Sequence, residues 1–156
     1  MKIVLLSLDT KNEDWAERAL SIYLKKIKQF CQIEIISLNS PGLPRNQKDK
    51  RLTVERDKIF SWLRPEDYLI LLDEKGRAYD SKQFAQKFER LLLNSVKRVV
   101  FLVGGPYGVD DLVKKKAAAT ISLGPMTMNH LLAKIVLMEQ IYRAFTIIRG
   151  IPYHNE

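Results

Sequence analysis

The sequence predicts an α/β protein with a Rossmann-like, mostly parallel sheet and helices on both faces. Short apolar runs alternate with longer segments of helical periodicity, giving the order βαβαβαβ before a glycine-rich stretch is reached. Several runs are nearly continuous in Val, Ile, Leu and Phe, as strands buried on both faces require. At residues 101–108, F-L-V-G-G-P-Y-G, an apolar run meets a Gly-Gly-Pro turn, and Asp110 and Asp111 then open a helical segment. Open α/β sheets bind ligands outside the carboxyl ends of their strands, and glycine there lets a ligand approach bare backbone. The stretch reads either as a ligand loop or as a tight structural turn. Its spacing fits neither G-x-G-x-x-G nor a phosphate loop.

The elements follow in order. Residues 2–8 make the first strand, and Asp9, Thr10, Lys11 and Asn12 form a polar loop with Asn12 placed to cap a helix over about 13–29. That helix is expected to turn Trp15, Ala19, Ile22, Tyr23, Ile27 and Phe30 inward. Lys25, Lys26 and Lys28 gather near its C-terminus, where cations suit the helix dipole and face solvent. Residues 33–38 form a second strand, and the run N-S-P-G-L-P at 39–44 breaks regular structure. Segment 45–58 is rich in basic side chains and leads into a helix with Leu52, Ile59, Phe60 and Leu63 inward. It reads as a solvated loop and helix or as a surface that lies along a phosphate backbone. Residues 68–72 are the third strand, with a turn at 73–76. Ser81 caps the next helix, whose Phe84, Phe88, Leu91 and Leu92 have core spacing, and 98–103 is the fourth strand.

A short helix over 109–119 ends in Lys114, Lys115 and Lys116, and 121–123 is a short fifth strand. The loop Gly124-Pro125-Met126-Thr127-Met128-Asn129 is too apolar for a solvated connection; a ligand, another loop or a second subunit is expected to cover it. The last helix spans about 130–149 and stops at Gly150.

A chain of 156 residues is about the size of one domain and can build a core without staples. The expectation is one domain over 1–156. Its single cysteine, Cys31, reads as a small core residue, and the two histidines give no metal-binding spacing. No apolar run is long enough to span a bilayer and no cleavable leader pattern opens the chain, so a cytoplasmic location is expected. Lys plus Arg number 26 against 18 Asp plus Glu, a formal charge of +8 that favours polyanionic partners, nucleic acid above all.

Three blocks are jointly specific: L-V-G-G-P-Y-G at 102–108, S-L-G-P-M-T-M-N-H at 122–130, and E-Q-I-Y-R-A-F-x-I-x-R-G-x-P-Y-H at 139–154. Together they resemble the ribosomal RNA large subunit methyltransferase H (RlmH) family, of the SPOUT class. The resemblance implies a homodimer that uses S-adenosyl-L-methionine to methylate N3 of a pseudouridine in helix 69 of 23S ribosomal RNA, on the assembled ribosome. It also implies a C-terminal trefoil knot, with knot and cofactor site within about 70–156. Spacing arguments alone draw an unknotted sheet, since knots are rare exceptions.

Carried over by position, cofactor contacts fall on Leu72, on Gly104 and Gly105, and on Leu123, Gly124, Pro125, Met126, Thr127 and Met128. No metal is implied. The residues matching the catalytic pattern are His130, Arg143, Tyr153 and His154. Arg143 suits anchoring of phosphate or base, Tyr153 stacking on the target base, and His154 acceptance of the imide proton. His130 and Arg143 are thirteen residues apart on one expected helix. They therefore point roughly 220° apart, which suggests a composite site with residues from both subunits. Asn129 stands where the family pattern has proline, and Lys134 where arginine is common. Loss of proline is expected to loosen the junction between loop and helix, and lysine to lose bidentate contacts. A non-enzymatic basic ribosome- or RNA-binding module is the alternative, predicting RNA binding indifferent to cofactor. An α/β enzyme for a small metabolite is a third reading, which leaves the basic segment without a role.

Overall fold

The computed structural model describes residues 1–9 and 13–154. Among these, five strands and five α-helices alternate: β1 (Lys2–Asp9), α1 (Asp14–Ile27), β2 (Gln32–Asn39), α2 (Lys48–Trp62), β3 (Tyr68–Ala78), α3 (Ser81–Leu93), β4 (Arg98–Val103), α4 (Asp111–Lys116), β5 (Ala119–Ser122) and α5 (His130–Ile148). The strands form one sheet in the order β2-β1-β4-β3-β5, and every pairing is parallel. This is the α/β architecture expected, with helices on both faces. No described helix is long and apolar enough to cross a membrane.

Each strand's place follows from its composition. All of β4 is buried, and so is β1 from Ile3 to Leu8, as suits strands with neighbours on both sides and helices on both faces. At the sheet edge, only Ile33 of β2 is buried, and the rest of the strand is half-buried or exposed. Helices α1, α3 and α5 pack on one face through Leu20, Ile27, Phe84, Phe88, Ile141 and Phe145; α2 and α4 cover the other through Ile59 and Val113. Connections running toward the β2 edge use the first face and those running toward β5 the second. All four crossovers therefore share one hand, as a twisted parallel sheet requires. Neighbours β1 and β4 send their next helices to opposite faces, the arrangement that in open parallel sheets favours ligand binding beyond the carboxyl ends of the strands.

Several local expectations need correction. In α1 the inward residues are Ala16, Leu20 and Ile27, whereas Trp15 and Ile22 are 46% and 57% exposed. Of the residues expected inward, Ile27 is buried and Tyr23 and Phe30 pack partly against the core, while Ala16 and Leu20 take the places expected of Trp15 and Ile22, because aromatic and aliphatic residues occupy both arcs and periodicity cannot choose between them. Phe60 is also exposed. The cap of α3 is Asp80, whose carboxylate accepts the Gln83 N–H at 2.7 Å in a capping box; Ser81 is the first helical residue. Helix α4 is shorter than expected. The Asn12 cap lies outside the described residues. Cys31 is partly buried against the core, and burial pushes its thiol up to about 11.

The turn expected at 73–76 is a bulge within a longer strand. Both Leu72 and Arg77 pair with Ile121, and β3 continues to Ala78. Gly76 is required at that point, since a Cβ there would sit 2.6 Å from the Ile121 carbonyl carbon and 2.8 Å from the Ile121 nitrogen. Gly76→Ala is expected to cost at least the ~1–3 kcal/mol typical of overpacking, read as a lower thermal midpoint. An unchanged midpoint would show that β5 yields freely at this bulge.

Candidate active site

The candidate site lies at three adjacent strand ends, those of β4, β3 and β5. Leu72 of β3 pairs with Val103 of β4 on one side and with Ile121 of β5 on the other. Gly104 and Gly105 leave from the first side and the loop from Leu123 to Met128 from the second, so every residue expected to contact a cofactor lies at one rim of the sheet. The β5 loop is shaped locally. The Ser122 hydroxyl donates to the Gly124 carbonyl at 2.9 Å and accepts the Gly124 N–H at 3.2 Å. Gly124 itself has φ +139°, which favours glycine. Thr127 Oγ1 donates to Glu74 Oε2 at 3.5 Å, joining this loop to the β3 bulge. Leu123 packs on the core, while Met126 is 75% exposed. Met126 is therefore not the core residue its type suggests.

The glycine stretch is a tight turn, and that does not exclude a ligand loop. Gly108 N–H donates to the Gly105 carbonyl at 3.0 Å, with Pro106 and Tyr107 at the corner and Gly108 at φ +75°. A Cβ on Gly104 would lie 3.0 Å from Val109 Cγ1 and 3.1 Å from the Gly108 backbone. Bare backbone is thus a packing requirement at Gly104. Beneath the turn lies Glu55 of α2, a residue the sequence reading passed over. It is 2% exposed, accepts from Ser40 Oγ and from Arg51 Nε at 2.9 Å, and its carboxylate faces Gly105. Arg51 and Lys48 lie 5.6 and 5.9 Å from the centre of the Tyr107 ring. Part of the basic segment therefore packs on the glycine turn. Only the i, i+4 spacing of Arg51 and Glu55 offered a signal, and on a charged helix that spacing usually marks a surface pair.

A second cluster forms where the C-terminal segment folds back on α5. Arg143 donates to Glu139 Oε1 from Nε at 3.0 Å and from Nη2 at 2.7 Å, and Tyr153 OH donates to the same oxygen at 3.3 Å. The guanidinium lies 4.7 Å from the Tyr153 ring centre, and its Nη1 is 3.2 Å from His154 Nδ1. A guanidinium only donates, so Nδ1 accepts, and a neutral His154 carries its proton on Nε2. The hydrogen bond that Arg143 donates to Glu139 raises the Arg143 pKa above its ordinary value, and burial followed by the Glu139 charge raises that of Tyr153. Lys26 is not simply solvated; its ammonium lies 5.1 to 5.8 Å from the ring centres of Tyr142, Tyr23 and Tyr153. Glu139, which organises the cluster, was absent from the expected set.

His130 belongs to the other end of α5. It is the first helical residue, beside the β5 loop, and thirteen residues separate it from Arg143, about 20 Å of helix axis. One chain brings together Arg143, Tyr153 and His154, but not His130. Asn129 does not loosen the junction. Its backbone adopts φ −57°, as proline would, and its side chain accepts the Leu131 N–H at 2.8 Å. Lys134 is 1% exposed, so it packs inside the chain and does not offer its ammonium to a surface ligand. Among the described residues no group of three or more His, Cys, Asp and Glu could hold a metal ion.

Bare glycine backbone and apolar side chains at parallel strand ends are the type of setting that α/β enzymes give to nucleotide-like ligands. Over residues 1–154 the sequence matches the family model described as "Predicted SPOUT methyltransferase", and the chain belongs to that family. Among similar proteins, one from Bdellovibrio bacteriovorus is 43% identical over 155 residues, covering 99% of both chains. Others from Pseudothermotoga lettingae and Parabacteroides distasonis are 38% and 36% identical over 156 and 160 residues, covering 99% of both chains and 100% of both chains respectively. Each of the three is named Ribosomal RNA large subunit methyltransferase H.

The second cluster gives a pH prediction. Because the Glu139 charge raises the Tyr153 pKa, Glu139→Gln is expected to move phenolate formation down in pH, followed by absorbance difference against a Tyr153→Phe background. Arg143→Ala, which removes a lowering charge, should move it the other way. A common direction for both variants would rule out the electrostatic account.

Proposed function

We propose that this chain methylates large-subunit ribosomal RNA with S-adenosyl-L-methionine as donor, at N3 of a pseudouridine in helix 69 of 23S RNA within the assembled ribosome. Membership of the SPOUT methyltransferases carries the reaction class, and the relatives' shared name carries the RNA. The net charge of +8 suits a polyanionic substrate.

The rim of the sheet fits the donor. Gly104, where a Cβ would meet backbone, and Gly105 offer amide edges; Leu72, Leu123 and Met126 offer apolar walls; the Gly124–Met128 loop can close over an adenine. The donor supplies a methyl group on a sulfonium, which needs no metal. The remaining work is alignment of the base and removal of the N3 proton as nitrogen takes the methyl and the carbon–sulfur bond breaks. Arg143 anchors phosphate or base through its fork, and Tyr153 packs on the target base. His154 accepts the proton. In the single chain its Nδ1 is taken by Arg143, so His154 serves as acceptor when Arg143 turns to the RNA and frees that nitrogen.

The working enzyme on this reading is a cytoplasmic homodimer, each chain one domain with a C-terminal knot. Helix α5 is apolar around much of its circumference, yet Leu132 is 47% exposed on it, and Trp15 and Ile22 stand exposed on α1, which packs beside it. A second chain covering these helices would bring the Arg143 cluster of one chain to the His130 end of the other.

Two experiments test this. Purified protein incubated with labelled S-adenosylmethionine and ribosomes lacking the modification is expected to label the helix 69 pseudouridine, mapped by mass spectrometry of RNA fragments. Ribosome binding without transfer to any RNA would overturn the enzymatic reading. In the second, equal mixing of His130→Ala and Arg143→Ala chains is expected to restore about a quarter of the wild-type rate, because each mixed dimer contains one intact composite site. No recovery would mean that each chain works alone.

A further inference from the structure

A carboxylate buried inside a protein is costly unless paired and hydrogen-bonded, and a pair replaced by apolar residues is often as stable or more so. Glu55 meets the first condition. Its side chain is 3% exposed and that of Arg51 13%, at 2.9 Å. Ser40, itself buried between β2 and α2, donates to the same oxygen, Oε1. Folding alone does not require such a pair in the middle of α2, where Ile59 one turn later shows that an apolar side chain packs on this face.

What the pair touches suggests its purpose. A Cβ built on Gly105 would lie 3.4 and 3.6 Å from the two carboxylate oxygens, so the Glu55 carboxylate faces the turn at Gly105. Arg51 reaches the turn at a second point, the Tyr107 ring, and Arg56 of the same helix lies 3.7 Å from Asp110 just beyond it. The Gly108–Gly105 hydrogen bond closes the turn on itself, and α2 is the helix whose charged side chains face it.

We propose that Glu55, clamped by Ser40 and Arg51, is a positioning residue that sets Gly104 and Gly105 for the cofactor. This rests on the reading of the β4 turn as part of the S-adenosylmethionine site. Glu55 touches neither donor nor RNA on this view. It acts through backbone placement, so its loss lowers cofactor affinity while leaving the chemical step nearly intact once the site is filled.

The test is calorimetric titration of S-adenosylmethionine into the full chain, with steady-state kinetics on ribosomes. Glu55→Gln is expected to weaken cofactor binding about tenfold and raise its KM in parallel, with kcat at saturating cofactor within about twofold of wild type. Ile59→Val, on the same helix and buried in the same face, is the control for lost stability: it should lower the thermal midpoint with an unchanged dissociation constant. Should Glu55→Gln fold poorly, the double variant Arg51→Met with Glu55→Leu keeps the volume without the charges and is expected to fold and still bind cofactor weakly. Wild-type affinity in Glu55→Gln or in the folded double variant overturns the proposal, as does an equal loss in Ile59→Val. A wild-type chain that bound no S-adenosylmethionine would instead sink the cofactor reading, at the first titration and before any variant is compared.

Discussion

Leu72 is held in two ladders at once, opposite Val103 on one side and Ile121 on the other. That double registration fixes where the β4 and β5 loops emerge, and the candidate site depends on it. In a parallel sheet a slip of one residue turns every side chain to the other face, and the continuous burial of β4 and of β3 from Leu69 to Leu71 leaves no apolar face to spare. The core therefore specifies the register, and the register places the glycine turn and the apolar loop on either side of one residue. The bulge after Leu72 interrupts the ladder for four residues while β5 remains paired through Arg77 and Ala78.

Helix α5 imposes the complementary constraint. At nineteen residues it spans about 28 Å, so its two ends cannot serve one small reacting centre. Its N-terminus leaves the apolar loop under an Asn129 cap, and its C-terminal half carries Glu139 and Arg143, to which the tail returns. Separating these groups in one chain costs nothing under the proposed dimer, in which a second chain brings the ends together. The exposed apolar side chains on α1 and α5 suit that arrangement.

Much of the fold was legible because the strongest signals were local. An unbroken apolar run, V-V-F-L-V, ahead of Gly-Gly can hardly be anything but a central strand with a loop, and the three segments proposed to hold the cofactor each lie at the end of a strand. The order of strands was not legible, since it depends on which face each crossover takes. Nor was the buried arc of α1, where Trp15 and Ala16 were equally plausible inward residues until α5 was in place. Asp80 was overlooked as a cap because Ser81 beside it has similar chemistry, although the capping-box pattern Asp80 to Gln83 was present in the sequence. In the site, Arg143, Tyr153 and His154 were recognisable from their joint pattern, but Glu139, which gathers them, reads as an ordinary surface glutamate on a helix.

Glu55 and Glu139 were missed for the same physical reason. Each sits four residues from an arginine on a helix, a spacing worth a few tenths of a kcal/mol on an exposed surface and therefore uninformative. What distinguishes them is tertiary: the glycine turn packs on Glu55, and the C-terminal tail folds over Glu139. Burial removes the water that would otherwise weaken the Glu55–Arg51 pair, whereas Glu139 and Arg143 keep about a fifth of their side chains exposed and owe their order to the tail that folds over them. Each pair faces backbone of another segment, a turn in one case and the C-terminal segment in the other. An apolar contact would fill the same space but would not fix orientation, because dispersion is indifferent to direction whereas a guanidinium fork is not. Directional contacts of this kind are what hold a backbone segment at one orientation, and in this chain both come from side chains that periodicity assigns to a solvated helix face.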